Sequence, residues 1–180
     1  MQSLAEAGLV HRDIKAENVL INKELDLLKL IDFAFSAEYS PGSTTSIAQG
    51  SPFYSAPEVL AKEKYDPLKA DIWSAGVLLF FMLCGYLPFY DENLTNLYSL
   101  IIFGELELPQ CLNKDAVDLV KSLLNTSAKQ RPTFEEILNH PWMAIRKLYS
   151  KDVDNFNWNE EYAKAGETIA ERLVLQIMVP

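Results

Sequence analysis

His11-Arg12-Asp13-Ile14-Lys15-Ala16-Glu17-Asn18, and further on Ile31-Asp32-Phe33-Ala34, decide how this chain is read. The first stretch sets an acid, a cation and an amide close together, and the second adds another acid. Between them lie two short apolar runs, Val19-Leu20-Ile21 and 27–31, separated by the polar Asn22-Lys23-Glu24-Leu25-Asp26. Such runs around a short polar turn predict a small hairpin, with the two acids at its ends.

His11 to Asn18 fits the pattern H-R-D-x-x-x-x-N, and Asp32-Phe33-Ala34 stands where D-F-G follows it; on these residues the chain resembles a protein kinase. Phosphoryl transfer spreads negative charge over the oxygens of the moving group. It therefore needs positioned cations, hard oxygen ligands for magnesium and a group that orients the attacking hydroxyl. The resemblance implies that Asp13 accepts the proton of the substrate hydroxyl and that Lys15 offers its ammonium to the transferring phosphate. It also implies that Asn18 and Asp32 hold Mg2+ beside ATP, with Leu20 on the floor beneath the adenine. A neutral amide oxygen ligates metal without adding charge beside the phosphates. His11, Arg12 and Phe33 are read as structural. A loop merely capped and stitched by His11, Arg12 and Asp13 leaves Lys15, Asn18 and Asp32 unexplained.

Lys15, two residues after Asp13, is the form that resembles serine/threonine kinases and implies an aliphatic hydroxyl as phosphoacceptor. Lys15-Ala16-Glu17-Asn18 is similar to the loop of the calcium/calmodulin-dependent and AMP-activated groups, where an acid at the Glu17 position can face arginine in a substrate. A solvated surface glutamate is the other reading of Glu17. Gly50-Ser51-Pro52-Phe53-Tyr54-Ser55-Ala56-Pro57-Glu58 resembles the segment that receives the peptide, ending in A-P-E. By that resemblance Gly50, Ser51 and Pro52 seat the substrate, and the Ser51 hydroxyl bonds Asp13 and Lys15. Glu58 is expected in a buried ion pair with Arg131, and Asp71 is expected to brace the catalytic-loop backbone, a helix cap being its plainer reading. The stretch from Asp91 through Pro109, then His140-Pro141-Trp142, continues the likeness, which covers Leu4 to about Trp142.

The 180 residues are 49% hydrophobic and 23% charged, the balance of a globular chain with a real core. A formal net charge of −9 argues against nucleic acid or an anionic membrane as partner and favours basic peptides. Cys84 and Cys111 lie far apart without metal-ligand spacing and read as reduced thiols of an intracellular protein, cytoplasmic or nuclear. The start lacks the cationic region and long apolar run of a signal peptide. The apolar run 72–84 is expected to be too short for a bilayer and to form a buried helix.

Along the chain, 2–10 predicts the last turns of a helix, and 36–55, rich in Ser, Thr, Gly and Pro, a long functional loop. Helices are expected at 57–60, 71–84, 94–103, 115–124 and 133–138. The fold class is thus mainly α with a small β-hairpin, a protein-kinase-like C-terminal lobe without the N-terminal lobe. Residues 1–149 form a partial catalytic domain, and 150–180 a polar linker (152–159) and a last helix (160–178) of unknown role.

The sequence departs from the family in three places. No G-x-G-x-x-G and no V-A-I-K lysine occur, so the chain alone is expected to bind nucleotide poorly and to be inactive. A longer reading frame that supplies these parts is one alternative, and a non-catalytic docking module is the other. Ala34 replaces the glycine of D-F-G, which costs roughly 1 to 2 kcal/mol if that position needs a positive φ. Ile47 occupies the position where related kinases carry an activating phosphate, with Thr45 and Ser46 out of register. The phosphate partner of Arg12 is left unassigned.

Overall fold

The computed structural model describes residues 1–22, 27–110 and 112–143; Cys111, the expected linker and the expected last helix lie outside them. In chain order the elements are α1 (Gln2–Glu6), β1 (Leu9–Val10), β2 (Val19–Asn22), β3 (Leu27–Leu30), β4 (Ala37–Glu38), α2 (Pro57–Leu60), α3 (Pro67–Cys84), α4 (Leu94–Phe103), α5 (Lys114–Leu123) and α6 (Phe134–Leu138).

Helix α3 lies at the centre of the described core, packed against α5 and β1. Asp66 caps its start, accepting the Leu68 N–H at 2.9 Å, and Pro67 takes the first helical position, where its missing N–H costs nothing. Gly85, at φ 79°, ends it by returning its N–H to Phe81. The helix therefore begins a turn earlier than its apolar run suggested, and Asp71 is an interior residue rather than a cap. At 18 residues and a mean hydropathy of 1.5, α3 is long and apolar enough to cross a bilayer, contrary to expectation. Over half of it is buried inside the protein, including Ile72, Trp73, Val77, Leu78, Leu79 and Phe80.

Helix α5 is amphipathic in the ordinary way, with Ala116, Leu119, Val120 and Leu123 turned inward. It crosses α3 at Gly76, where an added Cβ would lie 2.8 Å from Leu123 Cβ. Helix α6 starts in a full capping box between Thr133 and Glu136. The Trp73 ring stacks on Phe89 at 5.9 Å, and Trp142 is buried in the same core.

Arg131 reaches into this core with its side chain fully buried. It makes a two-pronged pair with Glu58 of α2, at 2.6 and 2.7 Å, and lies 5.0 Å over the Trp73 ring. Nε and the second Nη1 hydrogen go to the carbonyls of Asn125 and Lys69, both at 2.8 Å. Four hydrogen bonds, two of them to a carboxylate, are what a buried guanidinium requires.

Among the described residues the strands form two separate antiparallel pairs, beside an isolated bridge between Thr45 and Tyr65. The hairpin pairs Val19 with Leu30 and Asn22 with Leu27. The second ladder, Leu9 with Glu38 and Val10 with Ala37, replaces the end of the helix expected over 2–10. Gly8, at φ 71°, ends that helix, and a two-residue pairing with a distant partner leaves no periodic signal.

Arg131→Ala should lower stability by about 3 to 5 kcal/mol in urea unfolding, because it strands the Glu58 carboxylate. Gly76→Ala should cost a smaller ~1 to 3 kcal/mol by forcing α3 and α5 apart. An Arg131→Ala midpoint equal to the parent's would show that the pair is not sustained in solution.

Candidate active site

Asp71, in the second turn of α3 and 4% exposed, accepts the backbone N–H of His11 at 2.7 Å and that of Arg12 at 2.8 Å. Arg12 is held at φ 64°, a left-handed conformation unusual for a side chain of this size. Burial pushes the Asp71 carboxyl up to about 6, against the pull of the two N–H groups and the Arg12 charge.

His11 is fully buried, with Nε2 3.1 Å from the Ile31 carbonyl and Nδ1 accepting the Asp13 N–H at 3.3 Å. Burial lowers its pKa, and a neutral ring protonated on Nε2 satisfies both contacts. Phe33 stands edge-on to it at 4.9 Å. The histidine thus joins the two stretches, helped by the Ile31 N–H that bonds the Asn18 carbonyl at 2.9 Å.

The structure brings Asp13, Lys15, Asn18 and Ser51 together. The Asp13 carboxylate is buried and receives donors on both oxygens. Lys15 Nζ lies 2.6 Å and Asn18 Nδ2 3.0 Å from Oδ2, while the Ser51 backbone N–H reaches Oδ1 at 3.2 Å. Ser51 therefore meets Asp13 through its main chain, not through the hydroxyl the sequence suggested. Asn18 Nδ2 also donates to the Asp13 carbonyl at 2.7 Å, which fixes the amide's orientation. The hydrogen bond to Asp13 raises the Lys15 pKa, so the ammonium stays charged. Gly50, at φ 96°, brings the segment this close, since a Cβ there would sit 2.7 Å from the Arg12 carbonyl oxygen.

Asp32 is exposed and left-handed, at φ 62°, with its Oδ1 accepting the Ala34 N–H at 3.3 Å. Ala34 is not among the residues with positive φ, so the alanine carries none of the backbone cost considered for it. Leu20 and Phe33 are 55% and 48% exposed, and Ile31 is half-buried. Glu17 is exposed on a 3-10 turn, Ala16–Asn18. Pro52 opens another such turn, Pro52–Tyr54, whose Phe53 ring stacks on Tyr90 at 5.7 Å. Sequence reasoning missed Tyr90 and also Tyr65, which lies under the 43–50 segment. Neither belongs to a motif, and both reach the site through tertiary contacts alone.

Among the described residues no three or more His, Cys, Asp or Glu side chains gather into a metal cluster. What the site offers a cation is hard oxygen, from Asp32 and from the Asn18 side-chain carbonyl, whose amide hydrogens are already engaged.

The family model for the protein kinase domain matches residues 1–143. Among curated proteins, the chain is 41% identical over 169 residues to CBL-interacting serine/threonine-protein kinase 14 of Arabidopsis thaliana, covering 91% of this chain and 38% of that one. It is 41% identical over 135 residues to the SNF-related serine/threonine-protein kinase of Homo sapiens, covering 75% and 18%. To the maternal embryonic leucine zipper kinase of Xenopus laevis it is 42% identical over 157 residues, covering 86% and 23%. The chain thus spans less than two-fifths of the length of these relatives.

Asp71→Asn places an NH2 against one of the two backbone N–H donors and should cost roughly 1 to 3 kcal/mol. Because the folded pKa of Asp71 is raised from 3.8 to about 6, its stability contribution is complete below 3.8 and is lost as the pH rises through about 6. Asparagine does not titrate. Thermal melts across this window should therefore show the gap between parent and variant widest at the acid end and narrowing towards neutrality; a gap that widens with pH contradicts this assignment.

Proposed function

This chain belongs to the protein kinase domain family, and on that premise we propose that it is the C-terminal lobe of a serine/threonine kinase catalytic domain. It carries the lower half of a site that transfers the γ-phosphate of ATP to a serine or threonine hydroxyl of a protein. The observation that carries this reading is the Asp13 carboxylate, buried yet held by donors from Lys15, Asn18 and Ser51.

Each contact has a use. Ser51 and Asn18 fix the carboxylate plane, so that Asp13 is oriented before a hydroxyl arrives. Lys15 is the one donor on a flexible stem, and it can swing from Oδ2 to an incoming phosphate. That movement would free an Asp13 oxygen to accept the hydroxyl proton while the ammonium meets the charge that develops on the phosphoryl oxygens.

Asn18 Oδ1 and the Asp32 carboxylate would hold Mg2+, a pairing suited to an ion that keeps few protein ligands and shares the rest with phosphates. The ion supplies charge neutralisation to the phosphates when bound. Asp32 is exposed, and the exposed Leu20 would underlie the adenine. Gly50, Ser51 and Pro52 seat the peptide, and Glu17, exposed beside Lys15, favours a basic one.

Ligand sites bury most of their ligand, and these 180 residues contain no Gly-rich phosphate loop to cover the nucleotide. The chain alone, given ATP, magnesium and a basic serine peptide, should show no phosphorylation. Joined in frame to the Gly-rich lobe of one of its relatives, it should phosphorylate that peptide, and Asp13→Asn should lower the rate by about 10² to 10⁴. A folded chimera that binds ATP without transferring phosphate, or activity indifferent to Asp13→Asn, would refute the assignment.

A further inference from the structure

The segment that leads to the substrate seat is tied down by groups that need no modification. At its start, Glu38 and Ala37 pair with Leu9 and Val10, and Arg12 Nε donates to the Phe35 carbonyl at 2.5 Å. At its far side Thr45 and Tyr65 exchange both backbone hydrogen bonds, each 2.9 Å. The Tyr65 hydroxyl donates to the Ile47 carbonyl at 2.7 Å, and the Ile47 N–H turns back onto Thr45 Oγ1 at 3.2 Å. Ile47 itself is 57% exposed and has no hydroxyl to modify.

We propose that Tyr65, buried beneath this segment, is the fixed anchor that holds 45–51 in its substrate-seating course, so that the seat forms without a phosphoryl group on the segment. Ile47 is only three residues from Gly50, whose backbone lies against the Arg12 carbonyl, and four from Ser51, whose N–H holds Asp13. Fixing the Ile47 carbonyl therefore restricts how far the Asp13 contact can drift. Arg12 takes part through a neutral carbonyl, and among the described residues it makes no ion pair with an acid. Tyr65 is 5% exposed, and burial pushes its phenol pKa up, so the hydroxyl remains a donor at neutral pH. The inference rests on the kinase reading only for what the seat is used for; the anchor itself is a matter of hydrogen bonding.

Hydrogen exchange on the whole chain, purified and treated with phosphatase, tests it. The Thr45, Ile47 and Tyr65 amides should be protected in the phosphate-free protein. Tyr65→Phe should speed exchange across 43–49 by roughly five-fold, the loss of one net hydrogen bond, while α3 keeps its protection. Unprotected Thr45 and Ile47 amides in the phosphate-free parent overturn the proposal whatever the variant does, as does a Tyr65→Phe protein with parental exchange in this segment. Catalysis plays no part in the measurement. A protected segment in an inactive chimera would count against the proposed function alone, and an unprotected one in an active chimera against the anchor alone.

Discussion

The site depends on one carboxylate buried in a helix. Asp71 accepts successive backbone N–H groups from His11 and Arg12, and the left-handed turn at Arg12 is what lets both reach it. The balance is close. Two hydrogen bonds to a charged acceptor are worth about 1.5 to 3 kcal/mol each, while burying the charge costs several. Burial prevails, and the Asp71 carboxyl is pushed up to about 6. A helix otherwise apolar enough for a membrane thus carries a polar group whose ionisation the fold disfavours, and that group fixes the backbone at His11 and Arg12.

From this point the constraint passes outward through short contacts. His11 is fixed by its own N–H and in turn holds Ile31 and Asp13 through its two ring nitrogens. Asp13 is bounded by Asn18 below and by the Gly50-Ser51 turn above, and that turn can come so near only because residue 50 has no Cβ. The Arg131–Glu58 pair serves the same end from the other side. It locks α2, which follows directly on the 50–55 segment, to the turn before α6, so the segment proposed to seat the peptide leads into a fixed element. Of the Asp13 partners, Lys15 alone sits on a flexible stem, which suits the proposed reaction, where the protein's work is positioning and charge stabilisation.

The acids, the amide and the lysine could be read from sequence because a loop with a fixed chemical task uses particular residue types at fixed spacing. Asp13, Lys15, Asn18 and Asp32 stand within two short stretches, and Glu58, Asp71 and Arg131 within recognisable local motifs. Helices α4, α5 and α6 were visible within a residue because apolar spacing and caps are local properties. The start of α3 is less legible for a related reason: the apolar run begins at Ile72, and the Asp66-Pro67 cap lies a turn ahead of it.

Tertiary structure alone decided the rest. Nothing local in Tyr65 marks it as the donor to Ile47, and nothing in Leu9-Val10 announces a ladder with Ala37 and Glu38. That Ser51 holds Asp13 by its main chain, and that Asp32 rather than Ala34 takes the left-handed conformation, also follow from where distant segments meet. The sequence by itself determined the chemical inventory and the helices, because side-chain chemistry and hydrophobic period are written residue by residue. Which hydrogen bonds the inventory makes depends on backbone groups that every residue carries alike, and only packing around α3 selects among them.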